Sequence, residues 1–344
     1  MAQYYDGTKL LNMTDIDGNK PEILLCTTNR TGGKTTYFNR YLINRFIRHK
    51  EKFCLLYRYQ YELDDVCDKF FKDIQSLFFN GHEMTQKKLA KGLIRELFLD
   101  GESCGYAISL NGADGIKKYS HLLSDVVRIL MDEFQSEQNK YVSDEIRKFV
   151  SIHTSIARGH GEQVRFVQTI MLSNTVTIIN PYYIALGISA RLTSDTKFLK
   201  GHGFVLEQGF VDSASNAQKS SGFNKAMSGS DYVAYSSEAV YLNDNSAFIE
   251  KPEGFSRYLC TIKYKGVDYA VRQYPTCLYC DDKPDMSFPR KIAITTDDHN
   301  ISYVLMSRGD STLLNFRYFY NHGAWRFKNL LCKEVILTAL SCSK

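Results

Sequence analysis

The string Cys26-Thr-Thr-Asn-Arg-Thr-Gly-Gly-Lys-Thr-Thr36 carries residue types that hold the phosphates of a nucleotide. In a P-loop, backbone N–H groups of the loop and of the first turn of the next helix cradle the phosphates. A lysine bridges the outer phosphates and a hydroxyl ligates Mg²⁺. On this reading Asn29, Arg30, Thr31, Gly32, Gly33, Lys34, Thr35 and Thr36 surround ATP, with Thr35 on the metal. The strict motif opens on a glycine, and Thr28 stands in its place.

A second group of chemically capable residues lies about a hundred positions downstream, where the apolar run ending Ile129-Leu-Met131 is followed by Asp132 and Glu133. Acids at the C-terminal end of a parallel strand sit where ligands of open α/β sheets bind. Asp132 would hold Mg²⁺ through water and Glu133 would polarise the attacking water. A helix N-cap pair is the structural alternative. Arg158 follows a helical stretch and could reach a neighbouring subunit's γ-phosphate, while Asn174, after Ser173, could sense that phosphate from the end of the next strand. Either residue also suits a plain cap or turn. Lys117 and Lys118, in a glycine-flanked segment, are candidates for contacting a DNA backbone, with a solvated charge pair as the alternative.

These residues need an α/β scaffold. Ile23–Cys26 reads as a strand, Lys34–Arg48 as a helix, Phe53–Tyr59 as a strand and Glu62–Phe78 as an amphipathic helix. Asp100-Gly101 marks a hairpin between Ile94–Leu99 and Cys104–Leu110. Val126–Met131 then reads as a strand, Ser143–Ala157 as a helix and Val164–Leu172 as a strand. Residues 205–237 shift to Ser, Gly, Ala and Asn, the composition of a linker. Beyond Phe248 short β-rich runs dominate without clear helical periodicity, until a helical stretch at Lys328–Leu340.

Composition narrows the class. With 344 residues, 44% hydrophobic and 24% charged, the chain is long enough for two ordinary globular domains. It has no run of apolar residues long enough to span a membrane, and its start lacks the pattern of a signal peptide. Nine cysteines, an odd number, point to free thiols in a reducing compartment. Cys277 and Cys280 have metal-site spacing but no second pair, so they read as core or turn thiols. Net charge is +5, and the excess lies after residue 250, where 14 Lys and Arg face 9 Asp and Glu. Bases there interleave with aromatics, as in Asn315–Tyr320 and Trp325–Lys328, suiting either a phosphate-facing surface or a core with a solvated rim.

Several strings share order and spacing with one family: Tyr41–Ile47 after the P-loop, Leu56–Tyr59, Met131–Phe134, Leu172–Asn174 with Asn180–Tyr182, Phe248–Lys251 and Thr295–Asp298. Together they resemble the DNA-encapsidation ATPases of phi29-like small tailed phages, relatives of terminase large subunits. The resemblance implies a RecA-like ASCE P-loop ATPase domain (residues 1–204), a linker subdomain (205–240) and a C-terminal RNase H-like α+β domain (241–344) without nuclease activity. It implies ATP and Mg²⁺ as cofactors, Glu133 as catalytic glutamate and Arg158 as a trans-acting finger. It further implies a homomeric ring, typically a pentamer, that docks on the portal of a procapsid in the host cytoplasm and moves double-stranded viral DNA. Some members also use a packaging RNA. Independently, Tyr258–Tyr264 has no acid where a two-metal nuclease needs one on its first strand, which favours a binding module. A terminase with a live nuclease and a portal adaptor with a decayed P-loop are the competing readings.

Overall fold

A computed structural model describes residues 4–158, 163–189, 191–192, 196–227, 231–238, 248–307 and 309–341. The chain divides into two units, residues 1–243 and 244–344. The first is built on nine strands: β1 (Ile23–Thr28), β2 (Lys52–Tyr57), β3 (Met84–Leu89), β4 (Ile94–Leu99), β5 (Glu102–Ser109), β6 (Val126–Met131), β7 (Gln168–Asn174), β8 (Phe198–Gly201) and β9 (Phe204–Gln208). They run in the order β3-β4-β5-β2-β6-β7-β1-β9-β8, with β5, β2, β6, β7, β1 and β9 parallel.

The central strands are apolar along most of their length because both faces are covered. Leu24, Cys26, Leu55, Leu130 and Ile170 face one core with Phe38, Leu42 and Phe46 of helix α1 (Lys34–His49). Leu25, Cys54, Leu56, Ile129 and Met171 face the other, with Phe149, Ile152 and Ile156 of α2 (Glu145–Ile156). This alternation is the period of two expected of strands. Arg128, the charge inside β6, pairs with Glu51 and lies 5.5 Å from the centre of the Tyr41 ring.

Differences from the sequence reading have local causes. The helix expected over Glu62–Phe78 is broken into a three-ten turn at Gln60–Leu63, a π turn at Asp68–Lys72 and a short helix at Asp73–Phe78. Asp65 interrupts it with left-handed backbone (φ 58°), although Leu63, Val66, Phe70 and Ile74 still reach the core. The hairpin turn at Asp100-Gly101 forms, with φ of 53° and 81°. Its partner on the far side, β3, is a polar edge strand, and charges such as Lys87 and Lys88 suit an edge. The boundary expected at residue 204 cuts through the sheet, because β9 pairs in register with β1. Helices α3 (Asp212–Ser220) and α4 (Asp231–Glu238) follow. The expected boundary at 240/241 lies outside the described residues.

The second unit is a mixed sheet of β10 (Arg257–Tyr264), β11 (Val267–Gln273), β12 (Leu278–Asp281), β13 (Lys291–Ala293), β14 (Val304–Leu305) and β15 (Trp325–Phe327). Their order is β14-β13-β10-β11-β12-β15, with α5 (Ser311–Asn321) and α6 (Leu330–Ser341) packed on its core. This is the α+β second domain that the resemblance implies. The sequence reading found no helix where α5 lies. Leu314, Tyr318 and Tyr320 are exposed and blur the apolar stripe formed by Leu313 and Phe316. Phe316, Trp325 and Phe327 are core, so only part of the basic-aromatic run faces solvent. Cys280 and Cys332 are buried core thiols, and Cys277 is buried in a small satellite cluster.

Gly105 tests the central pairing. A Cβ built there would lie 2.3 Å from the Phe53 carbonyl oxygen on β2. Gly105→Ala should therefore destabilise the protein by roughly 1–3 kcal/mol, the range of overpacking, read as a Tm lower than that of the wild type.

Candidate functional site

β1 ends at Thr28, and the loop Asn29–Gly33 leads straight into α1. Thr28 remains a strand residue, in register with Asn174, and is fully buried. Its backbone does not need the left-handed conformation that would favour glycine; Thr31 (φ 59°) and Gly33 (φ 90°) supply the turn instead. That explains why threonine is tolerated at the motif's first position. No side chain caps α1, so its first-turn N–H groups remain without intrahelical acceptors and carry the positive end of the helix dipole. They border a cavity of about 880 Å³ lined by Arg30–Gly33 of the loop, Thr35, Thr36, Asp132, Glu133, Ser173 and Asn174.

Parallel pairing of β1 with β7 and of β7 with β6 brings the strand ends together. Lys34 Nζ donates to Asn174 Oδ1 at 2.7 Å, and Thr35 Oγ1 donates to Asp132 Oδ2 at 2.8 Å. Glu133 follows with φ 56°, and its N–H donates back to Asp132 Oδ1 at 2.9 Å. Burial pulls the Lys34 ammonium below its ordinary pKa, against the opposing pull of Asp132. Burial pushes the Asp132 carboxyl up, with Lys34 and Thr35 opposing. Glu133 is also pushed up, first by loss of water in the cleft and then by Asp132 and Glu137. A hydroxyl beside an undercompensated carboxylate is a hard oxygen donor set and fits Mg²⁺.

Two loop residues point elsewhere. Asn29 does not line the cavity. Its amide donates to the Val211 carbonyl at 3.1 Å and accepts from the Val211 N–H at 2.9 Å, which fastens the loop to the segment leading into α3. Arg30 lines the cavity, and its guanidinium pairs with Glu137. The Tyr235 hydroxyl on α4 donates to the same Glu137 carboxylate at 2.7 Å. Gln218 on α3 donates to Thr31 Oγ1 at 3.3 Å. The loop is thus tied to both helices by residues that a motif search reads only as phosphate ligands.

The remaining candidates lie apart from this centre. Arg158 is exposed just beyond α2. That helix runs back along the sheet for about 18 Å at 1.5 Å per residue, so Arg158 sits at the strand edge opposite its own P-loop. Lys117 and Lys118 are exposed at the start of a three-ten stretch in the crossover between β5 and β6, and Lys117 pairs with Asp114 at 3.1 Å. Sequence reasoning missed Tyr4, Tyr37, Arg40 and Phe78, which line the outer cavity, with Arg40 stacked 4.2 Å from the Phe78 ring centre. It also missed Arg58, one residue past β2, where the strand-end rule that singled out Asp132 applies equally.

Two outcomes follow. Asn29→Ala strips both partners from the Val211 backbone and should lower stability by about 1–3 kcal/mol, measured by urea unfolding. Asp132 has a folded pKa above its ordinary 3.8, so its contribution is favourable at low pH and is lost as pH rises above that value. Without Mg²⁺ and nucleotide, Asp132→Asn should gain Tm relative to wild type between pH 4 and pH 7; a gap that shrinks over this interval would contradict the assignment.

Comparison with known proteins shows the family. Residues 2–341 match the family of podovirus DNA encapsidation proteins (Gp16). The chain is 27% identical to a DNA packaging protein of Bacillus phage B103 over 309 residues, covering 88% of this chain and 91% of that one. It is 26% identical to the corresponding protein of Bacillus phage phi29, covering 88% of each. In structure it resembles a chain of the bacteriophage Phi-29 viral genome packaging motor assembly, with a TM-score of 0.72, 23% identity and full coverage of both chains. A chain of the Phi-28 gp11 DNA packaging motor matches with a TM-score of 0.59 and 16% identity, covering 100% of this chain and 98% of that one. The P-loop unit and its α+β companion therefore belong to a member of the podovirus DNA encapsidation (Gp16) family.

Proposed function

We propose that this protein is an ATPase that assembles as a ring, typically of five copies, on the procapsid portal and drives double-stranded viral DNA inward. The observation that carries this reading is the 2.8 Å contact of Thr35 with Asp132, beside the Lys34–Asn174 pair and with Glu133 next in the chain. The likeness to phage DNA packaging proteins supplies the process.

Lys34 and the first-turn N–H groups of α1 bind and orient the β- and γ-phosphates, displacing Lys34 from Asn174. Asn174 is thereby freed to register the γ-phosphate. Thr35 and, through water, Asp132 would hold Mg²⁺, which when bound would neutralise charge at the phosphate oxygens. Glu133 takes a proton from water as its oxygen bonds to the γ-phosphorus and the bridging bond breaks, leaving ADP and phosphate. The raised pKa of Glu133 suits a group that must hold that proton. Arg158, remote from its own P-loop, serves the neighbouring copy's γ-phosphate. Lys117 and Lys118 contact DNA phosphates, which suffices for a motor that must move any sequence. The ties from Asn29, Thr31 and Arg30 to α3 and α4 would pass changes in the loop to the linker helices.

We read the second unit as nuclease-inactive. β10 carries no acid, and Asp268 on β11 is neutralised by Lys263 at 3.5 Å. Plasmid nicking with Mn²⁺ would overturn this point.

Glu133→Gln should keep ADP binding and slow hydrolysis by roughly 10²-fold or more. Arg158→Ala should be inactive alone, since a finger contributes roughly 10³- to 10⁵-fold. Mixed with Glu133→Gln, it should regain partial ATPase activity, because some interfaces then pair an intact Glu133 with an intact Arg158. Mixtures that stay inactive, with both variants present in rings, would place Arg158 outside the trans role.

A further inference from the structure

We infer that Arg58 is a positioning residue for hydrolysis: it fixes the backbone from which Glu133 projects, and Glu145 locks Arg58 in place. The inference rests on the reading of Glu133 as the base.

Glu133 adopts φ 56°, a conformation that non-glycine residues hold only when their surroundings impose it. Asp132 Oδ1 and the Leu172 carbonyl hold the N–H groups of Glu133 and Phe134, and one guanidinium holds both carbonyls. Arg58 Nη1 donates to the Glu133 carbonyl at 3.1 Å, and Nη2 donates to the Phe134 carbonyl at 2.8 Å. The same group is gripped from behind by Glu145, whose two carboxylate oxygens accept from Nε at 3.2 and 3.1 Å, while one of them also accepts from Nη2 at 3.1 Å. The Tyr141 ring centre lies 5.1 Å away. The side chains of Arg58 and Glu145 are only 10% and 1% exposed. Glu145 is held in turn by the Tyr182 hydroxyl at 2.8 Å and the Val142 N–H at 2.9 Å.

The two ends of the segment between β6 and α2 are therefore pinned by a single ion pair, with Glu133 at one end and Val142 at the other. Arginine suits this place for a geometric reason. Only a planar fork presents donors to two successive carbonyls and a carboxylate at once; an ammonium on a flexible stem cannot. Arg58 stands just beyond β2, the strand beside β6, so the sheet itself sets its reach. With the carbonyls released, Glu133 can relax to ordinary backbone and its carboxylate leaves the position from which it meets water.

The test is a cycle of variants in the full-length protein: Arg58→Lys, Tyr182→Phe and Glu133→Gln, singly and combined. Steady-state ATPase, ADP affinity by calorimetry and Tm are measured for each. Arg58→Lys should lower kcat by about 10- to 100-fold, the scale of an ångström-sized misplacement, with ADP affinity changed less than about two-fold. Combined with Glu133→Gln it should lower the residual rate by less than about two-fold, because both changes act through one carboxylate. Tyr182→Phe, which removes a single hydroxyl from Glu145, should reproduce a weaker form of the same pattern and serves if Arg58→Lys fails to fold. A full multiplicative loss on top of Glu133→Gln, or a kcat unchanged in both Arg58→Lys and Tyr182→Phe, overturns the inference. A Glu133→Gln variant of normal activity instead overturns the reading of Glu133 on which it rests.

Discussion

Parallel pairing of β1 with β7, and of β7 with β6, is the constraint on which the site depends. Parallel neighbours end at the same edge, so the P-loop after Thr28, the Ser173–Asn174 terminus and the Asp132–Glu133 pair arrive together although they are spread over some 150 residues of sequence. The crossovers between them must then carry helices on both faces, which is why the strands are apolar on both sides. A one-residue slip in this register would exchange the residues facing the two cores, so packing and site geometry are secured by the same alternation.

Charges are concentrated at that edge and are shifted by it. Lys34 is pulled toward neutrality while Asp132 and Glu133 are pushed toward protonation, because the cleft withholds water from all three. Such an arrangement is unfavourable to the protein alone, and on the proposed function phosphate and a divalent cation would relieve it. Around this core lie two further charge pairs: the buried Arg58–Glu145 pair on the segment after β6, and the half-buried Arg30–Glu137 pair, joined by Tyr235, between the loop and α4. Buried pairs of this kind are weak sources of net stability but strong sources of definite geometry.

The second unit shows the opposite use of charge. Its acids are spent in structural contacts: Asp298 accepts from the N–H groups of Lys265 and Gly266 in the β10–β11 turn, Asp281 pairs with Arg272, and Asp268 with Lys263. Carboxylates committed in this way hold turns and strands together.

The order of strand, loop and helix around Lys34, the apolar run before Asp132, the Asp100-Gly101 turn and the family itself were all legible in the amino-acid sequence. Each rests on local chemistry or short-range periodicity, and such signals survive in one dimension. The broken helix after β2 was not legible, because its apolar spacing stays helical while Asp65 alone turns the backbone. Nor was α5, whose exposed aromatics hide its period. The tertiary fold alone decided that Thr28 needs no glycine, that Asn29 and Arg30 turn toward Val211 and Glu137, and that Arg58 reaches the carbonyls beyond β6. Those outcomes depend on partners 75 to 182 residues away, brought within hydrogen-bond range only by the register of the parallel sheet.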